Sequence, residues 1–188
     1  GGPPVPLCDA PTGRGGTWNR DNVILFSAGT ADPLQRITSA GGTPTAVTEL
    51  PKGVTSHRWP TFLPDGHHYL FFSGTPGNVG EIRVGSLDAK EAGVVVSSDS
   101  SALYAAGHVL FVRGGSLMAQ PFDPGTRQSM ADPFPIAELV TADGAAYASF
   151  SVSTTGLLTY ARGSARPTAR LTWFDRTGKS LGTAGDPG

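Results

Sequence analysis

Asp65, His67 and His68 stand within four residues of one another, and His108 occupies a similar corner further along the chain. Imidazole nitrogens with a carboxylate form a donor set for a divalent ion, Zn²⁺ or Ca²⁺. An ion held there would activate water for hydrolysis, with a histidine or aspartate as base. Successive strand residues face opposite sides, so His67 and His68 cannot both meet one ion without distortion. The plainer reading makes all three histidines polar shoulders of hairpins. A second group is His57-Arg58-Trp59. Arg58 suits an anion and Trp59 a flat apolar group, with Trp18 as the matching aromatic upstream. The alternative is packing plus a loop hydrogen bond. No Gly-x-Ser-x-Gly elbow, Asp-x-Asp-x-Asp calcium loop or His-Glu-x-x-His is present.

The elements around these residues repeat. The apolar segment YLFFSG (Tyr69 to Gly74) has relatives in VILFSAG from Val23, HVLFVRG from His108 and LLTYARG from Leu157. Phe26, Phe72, Phe111 and Tyr160 then recur roughly 40 to 50 residues apart, the length of a four-stranded propeller blade. Each relative follows an aromatic and a turn: TWNRDN, WPTFLPDG, LYAAG, FSVSTTG. Each precedes two further strand-like pieces, such as EIRVGSLDA and AGVVVSS. Tyr69 to Phe72 are apolar on consecutive positions. A strand with one wet face alternates, whereas a strand buried on both faces does not. A blade sandwiched between two others supplies that double burial. Pro64-Asp65-Gly66 closes the first hairpin of its unit, with Gly66 taking the positive φ. Asp21-Asn22, Ala106-Gly107 and Thr155-Gly156 fill the same corner. Asp88, Asp123 and Asp175 each end a third strand and suit turn capping. Trp173 falls in a third strand as core or edge cover.

SHRWPTFLPDGHHYLFFSG (Ser56 to Gly74) resembles the TolB-like propeller repeat, with Leu63 where that repeat usually has Ser. Together with GGTWNRDNVILFS, GHVLFVRGGSLMAQPFD and FSVSTTGLLTYARG, it resembles the C-terminal sensor-like propeller of bacterial membrane-anchored Ser/Thr protein kinases. No kinase catalytic motif is present. The resemblance implies an all-β propeller of four-stranded antiparallel blades and an extracytoplasmic, sensing role. It also reads His57-Arg58-Trp59 as the repeat's own motif. Residues 1–10 read as the outer strand of a preceding blade. Residues 11–50, 51–99, 100–142 and 143–188 read as four successive blades, the last of them whole or incomplete.

Composition agrees with short strands and tight turns: 26 Gly and 16 Pro in 188 residues, with a modest 38% hydrophobic share. A net charge of −1, with the arginines dispersed, supplies no field for nucleic acid. No apolar run is long enough for a transmembrane helix, so this segment is not expected to insert in a membrane. Cys8 is the only cysteine, which rules out an internal disulfide and Cys-based zinc spacing. About four blades make an open half-ring with exposed apolar blade faces. The expectation is a fragment of a larger ring, or one completed by a second copy of itself; four-bladed closure is the alternative. Two functions follow. One is a non-catalytic module that binds a protein, peptide or small-molecule ligand through loops on one rim. The other is a metal-dependent hydrolase of lactones, esters or phosphotriesters, by analogy of fold.

Overall fold

The computed structural model describes residues 3–77, 79–153, 155–163, 172–174 and 179–183. Among these no helix forms, and the strands are short and antiparallel. The first sheet is a meander of β1 (Gly16–Trp18), β2 (Val23–Ser27), β3 (Leu34–Thr38) and β4 (Gly41–Ala46). The second repeats that order with β5 (Ser56–Phe62), β6 (His68–Gly74), β7 (Gly80–Ser86) and β8 (Ala89–Ser98). The third contains β9 (Ala102–Ala105), β10 (His108–Arg113) and β11 (Ser116–Asp123). Its outer edge is split between β12 (Gln128–Ser129) and β13 (Phe134–Glu138), which pair with successive parts of β11. Two hairpins follow: β14 (Phe150–Val152) with β15 (Leu158–Tyr160), and β16 (Thr172–Phe174) with β17 (Ser180–Thr183).

The first strands of the four repeats stand side by side: β1 beside β5, β5 beside β9, and β9 beside β14. The second strands then lie between neighbouring sheets, as their apolar runs require. Tyr69, Leu70, Phe71 and Phe72 of β6 are each at most 1% exposed. Alternate residues serve different neighbours. Tyr69 and Phe71 join Leu25, Leu34 and Val47 of the first repeat. Leu70 and Phe72 join Val109 and Phe111 of the third. The pattern continues in β10, where Leu110 and Val112 turn to Ala148 and Phe150 of the fourth. Two such faces explain why the sequence runs apolar without alternation.

The hairpin corners hold as the turn chemistry predicts. Asp65 Oδ1 accepts the N–H groups of His67 and His68, each at 2.9 Å, and Gly66 has φ +72°. Asn22 and Gly156 supply positive φ at the matching corners, as does the Ala106-Gly107 pair. Adjacent corners are tied together: Asn19 Nδ2 donates to the Gly66 carbonyl at 2.7 Å, and Arg20 Nη2 to that of Asp65 at 3.1 Å. Residues 3–10 form no ladder here. Pro3, Pro4 and Pro6 have no N–H to give one.

Candidate functional site at the propeller axis

The first strands of the four repeats and the turn before β14 line a half-open cavity of about 430 Å³, walled by residues 15–17, 59–61, 101–103, 147, 148 and 150. Among the described residues its wall holds no carboxylate, imidazole, amine or guanidinium. Three aromatic rings (Trp59, Tyr147, Phe150) and three small hydroxyl side chains (Thr17, Thr61, Ser101) share it with glycine and aliphatic residues.

Trp59 is its dominant group, and local backbone geometry puts it there. Between Arg58 and Thr61, β5 carries one more residue than β6 opposite, a bulge in the ladder. Trp59 sits in this bulge at φ +54°, a conformation uncommon for a bulky residue. Its N–H donates to the Arg14 carbonyl at 2.8 Å, and its indole Nε1 to the Ala145 carbonyl at 2.9 Å. The indole packs against Tyr147 with ring centroids 4.8 Å apart. Gly15 makes room for it: at φ +84°, a Cβ there would come within 2.6 Å of Trp59 Cε3. The 143–147 turn that meets the indole is itself braced. Asp143 Oδ1 accepts from the Ala145 and Tyr147 N–H groups at 2.8 and 2.9 Å.

Arg58 lies beside this pair. Its Nε donates to Ser56 Oγ at 2.6 Å and its Nη1 to the Ala145 carbonyl at 3.3 Å. Burial, then the Arg14 charge, push its guanidinium below the ordinary value, and Asp143 opposes them.

His57 is elsewhere. It belongs to β5 rather than a loop and is 3% exposed. Its Nδ1 meets Thr48 Oγ1 at 2.8 Å and its ring sits edge-on to Phe71. Burial, with Arg83 adding to it, pulls its pKa down to about 4, so it is neutral near pH 7. It lines a separate pocket with Arg83 and Lys90, away from the axis. Trp18 also departs from expectation. It is 63% exposed, and its neighbour Thr17 faces the cavity instead. β1 pairs with β2 without a bulge, so nothing turns Trp18 inward as Trp59 is turned.

Asp65, His67 and His68 stand together, the two imidazole ring centroids 5.1 Å apart, but their nitrogens are engaged by other partners. Among the described residues no group of three His, Cys, Asp or Glu side chains is placed to hold an ion. Asp65 Oδ2 meets His68 Nδ1 at 2.6 Å, and His68 Nε2 faces Arg127 Nη1 at 3.2 Å. His67 Nε2 instead meets Asp88 at 2.9 Å and Ser86 Oγ at 3.1 Å. Because serine and aspartate share one nitrogen, this is no hydrolytic relay. His108 bonds the Ala106 carbonyl and packs on Phe134. Asp123 caps its turn through Gly125 and Thr126, whereas Asp88 pairs with His67. Asp175 lies outside the described residues, and Trp173 falls in β16. Tyr147 belongs to the site but carries no motif of its own, and Arg14 meets it through its backbone carbonyl.

No protein-family model and no curated protein matches the chain. Solved structures do. Regucalcin from Agrobacterium tumefaciens, described as a calcium-binding protein, aligns over 91% of this chain with a TM-score of 0.59 and 16% identity. TolB from Acinetobacter baumannii aligns over 92% with a TM-score of 0.55 and 20% identity. The fold is a β-propeller. The β-propeller domain of the Trilobed protease from Pyrococcus furiosus covers 70% of the chain at 11% identity, with a TM-score of 0.49. The chain spans 59% of the regucalcin chain and 44% of the TolB chain.

Proposed function

We propose that this propeller is a non-catalytic binding module that takes its ligand at the axial cavity, against Trp59 and Tyr147. One observation carries the reading: inner strands of four repeats converge on a cavity whose wall offers aromatic area and hydroxyls but no acid–base pair. Such a surface fits a peptide side chain or a small molecule with a flat uncharged part. The kinase-sensor resemblance adds an extracytoplasmic, signal-receiving setting. The metal-hydrolase reading gains nothing from the donor positions, and metal analysis with assays before and after chelation tests it directly.

The experiment is a ligand screen by thermal shift and calorimetry, repeated on two variants. Trp59→Gly keeps a residue that accepts positive φ, and Tyr147→Ala removes the facing ring. Each is expected to weaken a true axial ligand about tenfold or more. Ligands that bind both variants as well as the parent would place recognition elsewhere and end this reading.

Self-association is part of the same proposal. Leu157 of the fourth repeat is 71% exposed, and Tyr160 lies 36% exposed on its second strand. A second copy covering the fourth repeat gives a dimer in sedimentation or light scattering. A monomer at all concentrations overturns it.

A further inference from the structure

Arg14 and Arg58 each immediately precede a residue of the cavity wall, Gly15 and Trp59. The backbone holds the two segments together, through the bond from Trp59 N–H to the Arg14 carbonyl. No carboxylate among the described residues lies within ion-pair distance of either guanidinium. Arg58 has only neutral acceptors, Ser56 Oγ and the Ala145 carbonyl. Arg14 Nε is buried and has no hydrogen-bond partner. The one acid felt at Arg58 is Asp143, whose Oδ1 is engaged by two backbone N–H groups. The Arg14 charge also disfavours the charged form of Arg58, and an anion bound near the two would relieve that.

We infer that the axial ligand carries an oxyanion, a carboxylate or a phosphate, which reaches past the cavity wall to Arg14 and Arg58 while its uncharged part lies over Trp59 and Tyr147. The inference rests on the axial reading above and adds the chemical class of the ligand. Guanidinium forks match the paired oxygens of both anions. The Arg58 Nη1 and the Trp59 indole N–H converge on the same Ala145 carbonyl, so the cationic and flat surfaces are contiguous.

The test follows the Trp59 indole N–H resonance of ¹⁵N-labelled protein during titration with three probes. They are 3-phenylpropionate, phenyl phosphate and the neutral 3-phenylpropanamide. At least one anion is expected to bind about tenfold more tightly than the amide. That advantage should vanish in Arg14→Gln while amide binding stays as in the parent. Whichever anion carries the advantage identifies the source, carboxylate or phosphate. Added salt provides a second measurement on the unaltered protein, weakening the anion and sparing the amide. Equal binding of the amide and both anions overturns the inference and leaves the axial reading standing. An anion preference that survives Arg14→Gln and added salt also overturns it. Failure of all three probes to move the resonance removes both readings together.

Discussion

β6 and β15 occupy the same place in their repeats, yet they live in different surroundings. Phe72 pairs with Arg58 across its hairpin, and Tyr160 pairs with Phe150 across the other. β6 has a sheet on each side and is buried throughout its apolar run. β15 is largely exposed, with Tyr160 at 36%. The strand pattern therefore states a demand that only neighbouring repeats can meet. Stability in such an array comes from the interfaces between units as well as from the units themselves.

The largest expected effect tests that contrast head-on. Phe72→Ala should lose about 3–5 kcal/mol in urea unfolding, because it leaves a cavity between two packed sheets. Tyr160→Ala should cost less than about 1 kcal/mol. Similar losses at both positions would mean that β15 is as enclosed as β6, and the comparison would fail.

The interface between the first two repeats also carries a titration. The unfolded chain takes up a proton at His57 below its ordinary value of 6.5, whereas the folded chain resists until about 4. The unfolded state binds more protons in that window, so stability falls as pH drops through it. It levels off below about 4, where both states are protonated. The loss amounts to about 3 kcal/mol at most. His57→Gln should flatten the slope of unfolding free energy between those pH values. An unchanged slope would show that the imidazole is not sealed between repeats.

Smaller effects sharpen the picture within the second repeat. A Cβ on Gly85 would lie 2.7 Å from Tyr69 Cζ. Gly85→Ala is therefore expected to cost about 1–3 kcal/mol through overpacking. Tyr69→Phe should change stability by less than about 1 kcal/mol, or raise it, because the buried hydroxyl has no hydrogen-bond partner. Burial also pushes that phenol up to about 12, so it stays neutral in ordinary buffers. A clear loss in Tyr69→Phe would show that the hydroxyl is bonded in solution.

The architecture was legible because its cause is local. Four consecutive apolar residues between tight turns, recurring at blade length, leave few alternatives to sheets packed on both faces. Asp65 and Gly66 closed their turn for reasons written in those residues alone. The site was legible only in part. Trp59 and Arg58 stood out as an aromatic and a cation in one motif. Tyr147 and Ala145 lie more than 80 residues further on and are brought in by the ring itself. Trp18 does not line the cavity as Trp59 does, because the inner strands differ in register. A bulge deflects β5, and β1 runs straight. The histidines beside Asp65 offered the right atoms for a metal, but hairpin geometry sent them to separate partners.

The extra residue in β5 has an implication for how such arrays diversify. A ladder that skips one beat can present a new side chain to the centre of the ring while its outer contacts remain intact. Shifting that irregularity to another repeat would change what the hub receives without rebuilding any of the surrounding sheets.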